Sequence, residues 1–349
     1  MRPTVSVIVP AHGATGDLAQ AIRAVRRSAA PDTEILVVDD GSPLPLAGMP
    51  ALEWTRVLRL PRRSGPAAAR NFGARAATGD ILLFVDSDVV VAPDAVERVA
   101  RTLGERAEYD AVFGSYDATP ARPDFLSQYK NLFHHFVHQQ SEEEAGTFWA
   151  GCGAIRRLTF LALGGFDEER YRVPSIEDIE LGFRMRRAGK RILLDKGLQV
   201  THLKRWKLGT LLRADILCRA VPWTRLMLEG GEVPRDLNLR PAHRASAAFV
   251  AAALAASVVA LAAPPARLWA LLVAAAALAA LVPLNIAFYR FLVRRRGAAF
   301  ALGAFPMHVL YYFYGGATFL AVWSLHHLGV WKRRGAAERS PLAAGFPER

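Results

Sequence analysis

Two cysteines in 349 residues, Cys152 and Cys218, exclude a disulfide framework. The start is not a basic segment followed by an apolar run; it opens directly on the strand-like TVSVIVP. We therefore expect no secretory signal and expect the N-terminal part in the cytoplasm. Acid is scarcer than base: 32 Asp and Glu stand against 44 Lys and Arg, a net charge of +12. No nucleic-acid-binding motif accompanies that excess, so nucleic acid is not the expected partner. There is no internal repeat. Charge itself is missing from three long stretches: residues 245–266, 268–289 and 297–331.

The basic residues cluster beside those gaps, at Arg240 and Arg244, at Arg290 and Arg294–Arg296, and at Lys332–Arg334. Some 20 apolar residues span a bilayer as a helix, and flanking Lys and Arg favour the cytoplasmic side. We therefore expect membrane spans at 245–263, 268–289 and 307–328. An interfacial linker at 231–244 precedes them and a basic tail at 329–349 follows. Pro306 and Gly315-Gly316 interrupt the third stretch, and residues 298–306 are expected to lie in the interface. The first two stretches hold no ionisable residue, which argues against a transporter. The whole is expected in the cell's inner membrane, multi-pass, with the N-terminal domain cytoplasmic.

Residues 1–230 read as an α/β domain. Strands are expected at 4–9 (ended by Pro10), 34–38, 57–60, 80–85 and 191–194. Helices are expected at 18–28, 66–77, 93–103, 125–139 and 177–188. This alternation indicates a mostly parallel, doubly wound sheet. Ligands bind such sheets beyond the carboxyl ends of the strands. Acidic residues stand there in VVDDGS (Asp39, Asp40), in ILLFVDSDVV (Asp86, Asp88) and further on in SIEDIELG (Glu177, Asp178). Strand alternation points Asp86 and Asp88 to one side and Ser87 to the other. Asp178, at a helix start, is placed to be held ionised by the helix dipole. In TFWAGCGAI, Gly151 and its neighbours either let the backbone approach a ligand or make a tight bend beside Trp149. His134 and His138 share a helix face, as a metal pair, as acceptor-side contacts or as a solvated polar face. Residues 208–217 are amphipathic.

Taken in order, VSVIVPAHG, VVDDGS, GPAAARNFGARAATGDILLFVDSDV, GCGAIRR, GGFDEE and SIEDIELGFRMRRAGKRI resemble glycosyltransferase family 2, over residues 4–206. The resemblance implies a GT-A fold, Rossmann-like and nucleotide-sugar-binding, followed here by transmembrane helices. It implies inverting transfer of a sugar from a nucleotide sugar, UDP-sugar before GDP or dTDP, to a hydroxyl. It also implies a divalent cation, Mn or Mg, which suits oxygen ligands. By resemblance, Pro10, Asp39, Arg70, Asn71, Asp86 and Ser87 line the nucleotide, with Asp39 reading the base. Asp86 and Asp88 hold ribose and metal. Asp178 is the base. Trp149, Gly151 and Glu177 belong to the acceptor side. HLKRW resembles a Gln-x-x-Arg-Trp motif of processive synthases, with His202 in place of glutamine. His202 then stands open as a third metal ligand or as packing, and Arg205 and Trp206 as diphosphate and acceptor contacts. Few spans favour a non-processive enzyme acting on a lipid-linked acceptor. A processive polysaccharide synthase and a catalytically idle nucleotide-sugar-binding scaffold are the alternatives.

Overall fold

The computed structural model describes residues 2–230 and 241–330. Arg240, most of the expected linker and the basic tail beyond Val330 lie outside the described residues. The chain divides after Trp206 into two compact units.

The first unit is built on one eight-stranded sheet. In chain order its elements are β1 (Val5–Ala11), α1 (Gly16–Ser28), β2 (Glu34–Asp39), β3 (Arg56–Arg59), α2 (Pro66–Ala76), β4 (Ile81–Val85), β5 (Val89–Val91), α3 (Ala95–Glu105), β6 (Ala111–Tyr116), α4 (Phe125–Gln140), β7 (Cys152–Arg156), α5 (Arg157–Ala162), α6 (Glu177–Arg187) and β8 (Ile192–His202). The strand order is β3-β2-β1-β4-β7-β6-β8-β5. The half containing β3, β2, β1 and β4 is parallel. β7 then runs antiparallel to both β4 and β6, and β5 antiparallel to β8. β6 and β8 pair in parallel, so the continuous parallel run is confined to the first half and the rest is mixed.

All seven residues of β1 are buried, as a strand covered on both faces requires. Val5, Val7 and Val9 face α1 and α3 in one core layer. Ile8 faces the other, with Leu36, Phe84, Phe113 and Phe148. Pro10 does not end this strand: it pairs with Val38 of β2. The pairing with β4 stops at Ile8, so Pro10's missing N–H is not needed on that side. Short β5, β6 and β7 fall where no strand was expected, β7 in the glycine-rich segment read as an approach or a bend, and β8 extends well past 194.

The second unit is helical: α7 (Leu208–Asp215), a π turn over Ile216–Ala220, α8 (Val221–Gly230), α9 (Pro241–Ala262), α10 (Arg267–Leu284), α11 (Ile286–Arg296) and α12 (Ala298–His327). Among the described residues two helical stretches are long and apolar enough to cross a membrane, Pro241–Ala262 and Pro264–Leu284. The expected span at 268–289 is broken at Asn285, two residues after Pro283. The proline ring removes an N–H and crowds the preceding turn. α12 covers the third expected stretch. It is one 30-residue helix that continues through Pro306 and Gly315-Gly316, where an interruption was expected, and it is not among the two apolar stretches. Its His308 and Tyr312 are buried within this unit, and Tyr312 Oη donates to Asn285 Oδ1 at 2.8 Å.

Candidate active site

The site forms where β4 ends. Asp86, the first residue after β4, donates its N–H to the carbonyl of Gly151, 3.2 Å away. A Cβ on Gly151 would fall 2.4 Å from the Trp149 indole, so the chain turns into β7 hard against that ring. Asp86 and Asp88 leave 34% and 33% of their side chains exposed. They flank half-buried Ser87 in the turn between β4 and β5.

Arg70, on α2, joins this turn to α6. Its Nη2 donates to Asp86 Oδ1 at 2.7 Å and its Nη1 to Glu177 Oε1 at 2.8 Å. The guanidinium is almost wholly buried and packs over the Phe166 ring. Burial disfavours its charge, but Asp86, Glu177 and Asp178 outweigh that and raise its pKa. Asp178 opens α6 beside Glu177. Its carboxylate accepts from Ala150 N at 3.0 Å and from its neighbour Ile179 N at 2.8 Å. Burial, with Glu177 next, pushes its pKa up to about 7 against these hydrogen bonds and Arg70. The helix dipole expected to hold Asp178 ionised is therefore overcome by desolvation. Asp86 is also raised, by burial first and by Asp88 after it, with Arg70 opposing. Asp88 goes the other way: burial is outweighed by the hydrogen bond and charge of His202 and by Lys204.

His202 closes β8, which β5 pairs with, so Val89 lies opposite it. Its Nε2 is 3.3 Å from Asp88 Oδ2, and its Nδ1 lies 3.0 Å from Asn131 Oδ1. The ring stacks on Tyr116 at 4.7 Å. Tyr116 also meets Trp149 edge-on, and His134 and His138 line the same aromatic group through Tyr116 and Trp149. Among the described residues no group of three or more His, Cys, Asp or Glu is spaced to enclose a metal ion. This applies equally to the His134–His138 pair.

Asp86, Asp88, Arg70, Glu177, Asp178, Gly151, Trp149 and His202 are thus brought together. Other expected residues are placed differently. Asn71 is taken up by the 166–168 loop: its Nδ2 donates to Phe166 O and Glu168 Oε2, and its Oδ1 accepts from Phe166 N. This amide ties α2 to the loop rather than facing a nucleotide. Asn71→Ala strands the buried Phe166 N–H, and we expect a loss of about 1–3 kcal/mol in urea unfolding. Trp206 is 5% exposed, with Lys204 over its ring at 4.4 Å and His202 at its edge. It is packed and not open to stack on a sugar. Arg205, 71% exposed, lies 3.4 Å from Asp124. Pro10 is buried inside the sheet, and Asp39 is covered as well. Asn131 and Tyr116, which hold His202, were not anticipated. The available signal was the i, i+4 spacing of Ser127 and Asn131 on α4, which contact Trp206 N and His202.

Residues 6–163 match the model of glycosyl transferase family 2. Pre-mycofactocin glycosyltransferase of Mycobacterium tuberculosis is 30% identical over 229 residues, 58% of this chain and 43% of that protein. N-acetylgalactosaminyltransferase 6 of Drosophila melanogaster is 30% identical over 203 residues, 48% of this chain and 29% of that protein. The chain spans less than half the length of these curated relatives. A mannosyltransferase from Pyrobaculum calidifontis, solved in complex with GDP-Man and Mn2+, shares the fold. Its TM-score is 0.57 at 19% identity, over 96% of this chain and 89% of that one.

Proposed function

Because the chain belongs to glycosyltransferase family 2, we propose that it moves a sugar from a nucleoside-diphosphate sugar to an acceptor hydroxyl in a single inverting displacement. The observation that carries this is Arg70. One buried guanidinium pairs with Asp86 of the donor-side turn and with Glu177, next to Asp178, at the start of α6. A donor held at Asp86 and Asp88 then has a base within reach of its opposite face. Asp178 takes the acceptor proton as the hydroxyl attacks the anomeric carbon and the bond to the nucleoside diphosphate breaks. A base with a pKa near the working pH suits that role. The bond from Ala150 N orients its carboxylate.

The donor set fits a hard divalent cation. Two partly exposed carboxylates, Asp86 and Asp88, supply oxygen, with His202 at the second of them. Asp86, Asp88 and His202 do not by themselves enclose an ion as placed. Asp86 and Asp88 would hold it together with the bound donor, with His202 beside the second of them. When bound, Mn or Mg neutralises charge developing on the leaving diphosphate. The relative of known structure carries GDP-Man and Mn2+, and UDP-sugar is our proposed donor here.

We place the acceptor at a membrane. α9 and α10 expose Val258, Leu261, Leu268, Trp269 and Leu272 outward, which a bilayer would cover. Bilayer attachment raises the effective concentration of a lipid-linked acceptor. A second acceptor class is a hydroxyl on a modified peptide or cofactor; a pre-mycofactocin glycosyltransferase is among the similar proteins.

The test is radiolabelled sugar transfer by membranes carrying the protein, offered UDP-sugars with Mn2+. Label partitioning into the organic phase supports the lipid-linked acceptor, and label on added peptide supports the second class. Nucleotide-sugar binding without transfer or hydrolysis would return the reading to an idle scaffold. We further expect Asp88→Ala to abolish the metal-dependent thermal shift produced by nucleoside diphosphate, which stabilises the native state by mass action.

A further inference from the structure

We propose that Asn131 is the positioning residue that aims His202 at the cation. This rests on the donor-site reading above, and it concerns a side chain that does not reach the ion itself. The support is built from α4. Asp124 caps that helix by accepting from Ser127 N at 3.0 Å. Ser127 and Asn131 follow one turn apart and share a helix face. That face meets the end of β8 and the segment after it. Ser127 Oγ accepts from Trp206 N at 2.8 Å, and Asn131 Oδ1 lies 3.0 Å from His202 Nδ1. Asn131 is 2% exposed and His202 7%, so this bond is costly to lose.

The imidazole has little freedom to turn. Tyr116 stacks on it at 4.7 Å with the planes 10° apart, and Trp206 meets it edge-on at 6.4 Å. The backbone is pinned too: His202 lies opposite Val89, and Leu203 N donates to Asp88 O at 2.8 Å. An amide oxygen only accepts, so Nδ1 carries the proton. The neutral ring then presents a bare lone pair at Nε2, which faces Asp88 Oδ2 at 3.3 Å. Two acceptors at that distance repel, and a cation between them removes the conflict. Adjacent ligands of an octahedral ion with bonds of about 2.1 Å lie about 3 Å apart, close to the separation found. A histidine that ligates a metal generally donates its other N–H to a fixed acceptor, which sets its tautomer and direction. Asn131 supplies that acceptor here.

The experiment uses full-length, detergent-solubilised protein with Mn2+ and UDP, and separately with Mn2+ and GDP. Electron spin echo spectra of the bound Mn2+ report nitrogen coupling from a ligating imidazole and phosphorus coupling from the diphosphate. Wild type should show both, and His202→Ala the phosphorus coupling alone. Asn131→Leu, similar in shape but unable to accept, should lose the nitrogen coupling and keep the phosphorus. The Mn2+ concentration giving half of the nucleotide's thermal shift should rise about 10–100-fold. Asn131→Ala, the smaller change, should behave in the same way. Asn131→Asp keeps an acceptor toward Nδ1 and should bring the nitrogen coupling back, which separates positioning from packing. Nitrogen coupling that survives unchanged in Asn131→Leu and Asn131→Ala overturns the role of Asn131. Phosphorus without nitrogen coupling in wild type overturns it too, since His202 then stays off the ion. No bound Mn2+ with either nucleotide overturns the donor-site reading as well.

Discussion

Asp178→Asn should lower sugar transfer by about 10²–10⁴-fold, the usual contribution of a positioned base, while nucleoside-diphosphate affinity stays at the wild-type level. The wild-type rate should climb as pH rises through about 7, where burial and Glu177 place the Asp178 pKa, because the carboxylate acts ionised. The linkage to stability has the opposite slope. The folded-state pKa lies above the ordinary 3.8. Between these two values the native state therefore binds a proton that the unfolded chain does not. Stability from this group falls as pH rises from about 4 to about 7. Asp178→Asn removes that slope. Urea titrations at pH 5 and pH 8 on both proteins check it, and a mutant whose transfer rate and pH profile match wild type would remove Asp178 from the base role.

Arg70→Met should be the most damaging single change in the first unit. It leaves Asp86 and Glu177 facing each other without the cation that holds both, at 2.7 and 2.8 Å. Breaking a buried ion pair from one side costs about 3–5 kcal/mol, read as a lower midpoint in urea. Asp178 also loses an opposing charge, so its pKa rises further and the pH–rate profile moves to higher pH. Arg70→Lys keeps the charge but cannot donate to both carboxylates from one planar fork. It should recover much of the stability and little of the activity. That split separates the positioning role from simple support of the fold. Equal recovery of both would show that charge alone matters at this position.

Much of the first unit was legible because it rests on local signals. The apolar run of β1, Gly and Pro punctuation and helical periodicity locate the parallel half of the sheet. The acidic motifs mark its carboxyl edge. The mixed half was less legible. β7 lies within a Gly-rich segment that reads equally as a bend, and β5 is only three residues long. Such strands are defined by their partners more than by their own pattern. Residue roles followed the same division. That Asp86, Asp88 and Asp178 are acidic and lie at element ends is visible in one dimension. That Arg70 bridges residues 86 and 177 is not, since those contacts span 16 and 107 positions.

The amino-acid sequence by itself determined the parallel half of the sheet, the resemblance to glycosyltransferase family 2 and the apolar character of the helices after residue 240. Each of these depends on composition and short-range periodicity. Tertiary structure alone decided which polar groups are free to meet a substrate. Asp39, Asn71 and Trp206 carry chemistry suited to ligands, yet the fold spends them on backbone amides, a loop and packing. It alone moved Asp178 toward neutrality, because desolvation and the proximity of Glu177 arise only when β7 and α6 close on the same point.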